Sequence, residues 1–229
     1  MSLVLGPVHH WMYKKIQTTE AREAFIVEAL KAKYGLEAEE VLNSIYDKYP
    51  LSDKNASLDE ILGNIPIHQG IQNLIINAET RESSVIAAFC DKYGDEAKEL
   101  VVRAAHEHGV ECGKRAVVER GSSGECSASK AFELIQSYLC DGMPCDRGAQ
   151  AQSEEDNRTT WDHTECVHEQ CWNDAGASFE TMCDMLNSWI AGFGEGANPK
   201  IKYTREKAIA VGDSTCLSAR KGKWIDRKS

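Results

Sequence analysis

The sequence predicts an α+β protein with a helical N-terminal half and a small antiparallel sheet, with Cys-bearing helices, in its C-terminal third. Apolar residues at helical spacing and a duplicated helix–Gly–helix unit predict the helical half. Alternating segments near the C-terminus, separated by two short helical patterns, predict the sheet. Helices that come first and strands that come last are typical of the α+β class.

The duplicated unit spans residues 7–42 and 66–101, which align without a gap and are identical at 13 of 36 positions. Each copy begins with a proline that suits a first helical turn and reaches a glycine that suits a helix C-terminus, followed by a shorter helix. We expect the copies to pack on each other or to exchange across a dimer. The residues that recur in both copies include Pro7, Gly35, Pro66 and Gly94.

Charged residues and a histidine also recur between the copies. The Glu-x-Arg-Glu pattern predicts a solvated or paired helix face, and His9 and His68 are expected to cover helix ends rather than to act as ligands. The recurring charged residues are Glu20, Arg22, Glu23, Glu79, Arg81 and Glu82.

The repeat suggests two domains. Residues 1–64 are expected to form a helical extension that holds the first copy and a possible oligomer interface, and residues 65–229 an α+β domain that holds the second copy and the Cys-rich sheet region. Within the second domain, Gly109 and Gly113 are predicted to interrupt a helical stretch, residues 127–140 a further helix, and residues 141–157 a polar surface loop.

The C-terminal third is expected to hold every strand. Residues 159–165 predict a strand, residues 166–176 a short helix that ends at Gly176, and residues 179–193 a second helix. Residues 200–206 and 208–212 predict a strand pair, to which residues 216–220 add a further strand.

Composition and charge limit the possible partners. The 229-residue chain is 42% hydrophobic and has a net charge of −10, which disfavours binding to nucleic acid or to an anionic membrane surface. The N-terminus lacks a signal-peptide pattern, and no apolar run approaches the roughly 18 residues of a membrane span. We therefore expect a cytoplasmic protein, and the repeat adds the expectation of a homo-oligomer.

The chain contains nine cysteines, which a reducing compartment would keep as thiols. Cys90, Cys112 and Cys140 lie in helical patterns and are assigned to packing, while Cys145 lies in the polar loop. A second group lies at boundaries of predicted elements, where backbone N–H groups lower a thiol pKa and create a nucleophile. A catalytic role and simple burial remain equally open for this group, which is Cys166, Cys183 and Cys216.

The ordered set Cys166, Gly176, Cys183, Asn198-Pro199 and Gly212-Asp-Ser-Thr-Cys216 resembles the L-2-amino-thiazoline-4-carboxylic acid hydrolase family over about residues 160–218. The resemblance implies cysteine-based hydrolysis of a small cyclic C–N or C–S substrate without a cofactor. Cys183 is the implied nucleophile, together with Cys166 and Cys216, and Asp213 or His168 moves protons. Expected substrate contacts are Trp172, Asn187, Asn198 and Lys200 or Lys202, with Asn187 standing where an acidic residue is expected.

Two other functions remain open. Cys166, Cys171, Cys183 and Cys216, with His163 or His168, could form a zinc or iron–sulfur site, although the chain lacks the close Cys pairs of most such sites. The same segment is faintly similar to 4-vinyl-reductase-like modules that bind a small ligand without catalysis. Trp172, Met182 and Trp189 would line that pocket, but a simple core role is the favoured interpretation of these residues.

Overall fold

The computed structural model describes residues 5–53, 55–120, 126–141, 150–155 and 158–222; Cys145 and part of the predicted polar loop lie outside them. The helices are α1 (Pro7–Tyr34), α2 (Leu36–Lys48), α3 (Leu58–Leu62), α4 (Ile67–Tyr93), α5 (Asp95–Glu119), α6 (Ala128–Ile135), α7 (Glu169–Asp174) and α8 (Phe179–Ala197). The strands are β1 (Gln150–Glu155), β2 (Arg158–His163), β3 (Ile201–Lys207) and β4 (Cys216–Gly222). They form an antiparallel sheet in the order β1-β2-β4-β3. The predicted α+β class, with its helical N-terminal half, is confirmed.

The two repeat copies pack on each other through α1 and α4. Tyr34 stacks on its counterpart Tyr93 with ring centroids 3.8 Å apart, and at the other end of the pair His9 meets its counterpart His68 at 5.6 Å. Because equivalent residues meet near both ends, the helices run parallel and are related by an approximate two-fold axis along their length. Packing within the chain is one of the two arrangements that the repeat predicts.

The first copy contributes to the same core as the rest of the protein. Leu30 from α1 and Phe89 from α4 belong to one cluster of buried side chains with Trp189 and Phe193 of α8 and Trp161 of β2. Residues before position 64 therefore pack in a core that is continuous with the predicted second domain, while the boundary at 64/65 and the oligomeric role stay predictions.

The predicted interruption at Gly109 and Gly113 is wrong, because α5 runs unbroken from Asp95 to Glu119. These glycines instead allow α5 and α8 to approach closely. A Cβ on either would overlap a backbone carbonyl oxygen of α8, and the facing glycines of α8 meet carbonyl oxygens of α5 in the same way. The four positions at this contact are Gly109, Gly113, Gly192 and Gly196.

Three further sequence predictions need correction. Residues 208–212 form no strand but a short 3₁₀ helix, Ile209–Val211, which ends at Gly212 with φ 96°. The predicted loop at 141–157 contains β1, an edge strand whose polar residues gave no apolar alternation. The helix predicted over 127–140 ends at Ile135, so Cys140 follows α6 rather than lying within it.

The boundary at Gly176 agrees with the prediction, since its φ of 65° ends the α7 turn in a conformation that glycine adopts without strain. Among the helices of the described residues, none combines the length and apolar character that crossing a membrane requires.

Candidate functional site

The three predicted thiols lie near one another where one end of the sheet packs near α8. Cys166 follows the end of β2, and Cys216 begins β4, whose register pairs it with His163. Cys183 lies in the first turns of α8. The three sulfur atoms are close enough that Cys166 and Cys216 both act on the pKa of Cys183. The structure therefore brings together residues that lie 50 positions apart.

Burial, rather than a helix dipole, dominates the ionisation of these thiols. It raises the pKa of Cys183 to about 12, while the nearby Arg205 acts in the opposite direction. It raises the pKa of Cys166 to about 11, against the lowering effect of the backbone N–H of His168. Both groups are therefore neutral thiols at pH 7, in contrast to the lowered pKa values that the sequence suggested.

Arg205 is the cation of this site, and the sequence analysis missed it. Its Nε and Nη2 both donate to Oδ1 of Asn187, at 2.9 and 2.6 Å, and its Nε also donates to the hydroxyl of Tyr203 at 3.2 Å. Within the described part of the chain, no carboxylate forms an ion pair with it. A half-buried positive charge thus acts on Cys183 and Cys216, and no carboxylate of the described residues neutralises it. We refer to Cys166, Cys183, Cys216, Asn187, Tyr203 and Arg205 as the thiol–arginine cluster.

A signal for Arg205 was present in the alternation of β3. Ile201, Tyr203 and Arg205 occupy the covered face of this strand, while Lys202 and Thr204 are exposed. An arginine on the same face as two apolar or aromatic residues is unusual in a half-buried strand, and that position could have identified it.

The predicted substrate contacts are only partly brought together. Asn187 lies in the thiol–arginine cluster, where it holds Arg205. Trp172 is buried and stacks on His168 with centroids 5.2 Å apart. Asn198 ends α8 and donates from Nδ2 to the carbonyl oxygen of Cys126 at 2.8 Å, while Lys200 is exposed.

The two predicted proton-transfer residues are engaged away from the thiols. Asp213 is exposed, and its Oδ2 accepts the Ala208 N–H at 2.9 Å, which shapes the turn before β4. His168 uses Nδ1 to contact Oε2 of Glu79 on α4 at 3.0 Å. Among the described residues, neither side chain hydrogen-bonds to a cluster thiol.

His168 belongs to a second assembly, the buried polar network, which consists of Glu79, Asp141, His163 and His168. Asp141 Oδ2 lies 2.7 Å from Nε2 of His163, and its Oδ1 lies 3.9 Å from Nε2 of His168. Burial alone would lower the pKa of His168, but Glu79 and Asp141 raise it above its ordinary value. The two carboxylates therefore favour the cationic form of this imidazole against the opposing effect of burial.

The recurring charged residues of α1 and α4 are paired in the interior, which is one of the two alternatives that the pattern predicts. Arg22 pairs with Glu82 at 2.7 Å, and Arg81 pairs with Glu23 at 2.8 Å and Glu20 at 3.2 Å. Both arginines are fully buried. Their pairing across the approximate two-fold axis gives the duplicated Glu-x-Arg-Glu pattern its physical basis.

The alternative sites find less support. In the described ranges, no three His, Cys, Asp or Glu side chains are arranged to hold a metal ion, so the predicted four-cysteine set is not assembled. Cys171 contacts Glu79 and Thr80 of α4 instead, and its pKa is raised to about 11 by burial. Trp172, Met182 and Trp189 are buried members of the main core, as their simpler interpretation predicted.

Comparison with known proteins adds no assignment: no protein-family model, no curated protein and no solved structure matches this chain.

Proposed function

We propose that the protein is a cysteine-dependent hydrolase of a small cyclic C–N or C–S compound that carries a carboxylate, as an aminothiazoline carboxylate does. The observation that supports it is Arg205, a half-buried cation that interacts with the Cys183 and Cys216 thiols and has no carboxylate partner among the described residues. The resemblance of residues 160–218 to the aminothiazoline-carboxylate hydrolases points to the same chemistry.

Arg205 is the proposed receptor for the substrate carboxylate. A guanidinium donates parallel hydrogen bonds to a carboxylate, and such charge-assisted bonds gain strength in a partly desolvated site. Asn187 and Tyr203 hold the guanidinium on its Nε side and at Nη2, which fixes its plane. Arg205 takes the role that the sequence gave to Lys200 or Lys202, because those lysines are exposed on the outside of the sheet region.

Cys183 is the proposed nucleophile because it is half-buried and Arg205 acts directly on its ionisation. Since its thiol is neutral at pH 7, the proton must leave as the new bond forms. The ring nitrogen of a cyclic amidine is basic enough to accept it, which replaces the role assigned to Asp213 or His168.

The reaction then proceeds through a covalent intermediate. Sulfur bonds to the carbon between the ring nitrogen and ring sulfur as the thiol proton passes to that nitrogen. The adduct collapses by breaking the ring C–S bond, and the proton moves to the departing sulfur. Water adds to the same carbon and expels the Cys183 thiol, which leaves a carbamoyl product and the regenerated protein.

The other two thiols have supporting roles. The Cys216 sulfur accepts a hydrogen bond from the Ile209 N–H at 3.3 Å, which connects β4 to the 3₁₀ helix. Cys166 lies at the turn before α7. We expect Cys166→Ser and Cys216→Ser each to lower turnover less than Cys183→Ser.

The test is an anaerobic turnover screen of thiazoline and hydantoin carboxylates with the full chain, with Cys183→Ser beside Cys90→Ser. Cys90 is a half-buried thiol of α4 outside the cluster and serves as the matched control. We expect Cys183→Ser to lower turnover about 10³-fold or more and Cys90→Ser to leave it unchanged. Full turnover by Cys183→Ser would remove this thiol from the reaction.

Two broader expectations belong to the same proposal. The sequence favours a cytoplasmic homo-oligomer, and light scattering of the intact chain measures the assembly directly. A mass equal to the 25.4 kDa of one chain would contradict the oligomer.

A further inference from the structure

The second step of the proposed reaction, in which water adds to the carbon held on Cys183, needs a base, and the inference below rests on that proposal. Water attacks poorly unless a nearby group takes its proton as the new bond forms. The two residues that the sequence suggested for proton transfer are engaged elsewhere, because Asp213 shapes a turn and both ring nitrogens of His168 face carboxylates. The structure offers another imidazole, that of His163.

The register of the sheet places His163 beside a thiol of the cluster. His163 ends β2 and is paired with Cys216, the first residue of β4. Residues that are directly opposite in an antiparallel pair point to the same face, with Cβ atoms about 4.5–5.5 Å apart. The next position on that face of β4 is Ser218, whose hydroxyl lies 3.3 Å from that of Tyr203. His163 therefore lies on the same sheet face as the thiol–arginine cluster.

Helix α8 presents Cys183 to this face of the sheet. Cys183 and Asn187 are four residues apart and lie on one side of the helix. Asn187 Oδ1 accepts a hydrogen bond from the Tyr203 hydroxyl at 2.9 Å, and the same hydroxyl contacts Ser218. Four residues of helix and two residues of strand each span about 6–7 Å, and the effect of Cys216 on the pKa of Cys183 agrees with this alignment. Cys183 therefore faces the end of the sheet where β2 and β4 are paired.

Asp141 fixes the tautomer of His163. Its Oδ2 lies 2.7 Å from Nε2 of the imidazole, and because a carboxylate only accepts, the hydrogen of the neutral imidazole is on Nε2. Nδ1 then has the lone pair, and among the described residues it makes no hydrogen bond. A carboxylate that orients an imidazole base in this way is a recurring arrangement in covalent catalysis. Solvent reaches both groups of the proposed step, since the His163 side chain is 13% exposed and Cys183 is half-buried.

We propose that His163 is the general base that activates water for release of the product from Cys183, with Asp141 as the residue that orients it. The water oxygen bonds to the carbon held on Cys183 as one O–H proton passes to Nδ1. The C–S bond then breaks, and the proton passes from Nδ1 to the departing sulfur. The Cys183 thiol and the neutral imidazole are both restored, and no further reactant is needed.

The test follows an acetyl group on Cys183, so it does not depend on the natural substrate. The full chain is acetylated with 4-nitrophenyl acetate at pH 9, freed of reagent and held at pH 7. Peptide mapping then measures the loss of acetyl from each cysteine, and Cys90, which lies outside the cluster, gives the uncatalysed rate. His106→Gln is the control for His163→Gln, because it removes an imidazole that is paired with a carboxylate elsewhere, Glu195 at 3.4 Å.

We expect Cys183 to lose its acetyl group about 10²-fold faster in the unaltered chain and in His106→Gln than in His163→Gln, which is a usual contribution of a general base. Added imidazole should restore part of the rate in His163→Ala, which a merely structural role of the side chain would not allow. Asp141→Asn should slow the loss in the otherwise unaltered chain and add little to His163→Gln, because Asp141 acts through the imidazole.

Equal lifetimes of the Cys183 acetyl group in the unaltered chain and in His163→Gln would overturn the proposal. Failure of Cys183 to accept the acetyl group, while Cys90 accepts it, would overturn it as well. A thiazoline screen without turnover, beside an acetyl lifetime that depends on His163, would count against the proposed substrate and leave the assignment of the base in place. The two proposals can therefore fail separately.

Discussion

Arg22 and Glu82 lie 60 residues apart yet form a buried two-point ion pair, with Nε–Oε1 and Nη2–Oε2 distances both 2.7 Å. The repeat makes this contact the counterpart of Arg81–Glu23, at 2.8 Å. The two pairs lie in the same layer of the parallel helices and connect α1 to α4 from both sides of the approximate two-fold axis. Removing one partner leaves a charge uncompensated in the interior.

Arg22→Met should therefore lower the free energy of unfolding by about 3–5 kcal/mol, because it leaves Glu82 buried without its cation. The double variant Arg22→Met/Glu82→Leu should recover much of that loss. Urea denaturation followed by circular dichroism measures both. Lys33→Met breaks the exposed pair with Glu96 and serves as the control, at about 0–1 kcal/mol. Equal losses for Arg22→Met and Lys33→Met would argue against the buried pair.

Glu23 predicts a pH dependence of stability. Burial raises the pKa of Glu23 to about 7 from its ordinary 4.5, against the lowering effect of Arg81 and with a further raising effect of Glu82. Between these two values the folded protein holds a proton that the unfolded chain has released. The stabilisation is therefore complete below pH 4.5 and is lost as pH rises to 7, by about 3 kcal/mol at most.

Exchange of Glu23 for glutamine tests that dependence, because it removes the titration and keeps the shape of the side chain. Unfolding free energies at pH 5 and pH 8 should differ less in Glu23→Gln than in the unaltered protein. His168 also has a raised pKa, so it too makes the free energy of unfolding fall as pH rises. Because His168 is present in both proteins, the difference between them reports Glu23 alone. An identical pH slope in both would show that Glu23 is ionised throughout this range.

The close contact of α5 with α8 predicts a severe effect of one methyl group. Gly109→Ala should destabilise the fold by several kcal/mol, since its Cβ would overlap the Trp189 carbonyl oxygen and backbone cannot rotate away. Gly70→Ala is the matched control, because that Cβ would meet side-chain atoms of Leu62 and Ile65, which can move. Thermal unfolding measures the difference, and a Gly109→Ala protein as stable as Gly70→Ala would refute the tight contact.

Arg205 should control the reactivity of Cys183 even without substrate. Its charge lowers the pKa of this thiol against the larger effect of burial, so Arg205→Met should raise that pKa and slow alkylation by iodoacetamide at pH 9 several-fold. Lys202→Met removes a charge from the opposite face of β3 and should leave the rate unchanged. Cys90 gives an internal reference for each protein. A rate for Cys183 that is insensitive to Arg205→Met would place the guanidinium too far away to act.

The sequence predicted those parts of the fold that local patterns specify. Apolar spacing and Gly176 located the C-terminal helices, and the positions of Cys166, Cys183 and Cys216 at element boundaries led to the thiol site. Arg205 was missed because only the packing of β3 on α8 places it beside Cys183. The buried pairs of Arg22 and Arg81 were missed because charged residues are normally exposed, and only the partner copy makes their burial possible.

The approximate symmetry of α1 and α4 makes its exceptions informative. Glu20 turns to Arg81, whereas its counterpart Glu79 turns to His168 and so reaches the sheet region. Lys15 likewise stands opposite an apolar Leu74. Equivalent positions of the two copies therefore have different surroundings, so a substitution that one copy tolerates need not be tolerated at the same position of the other.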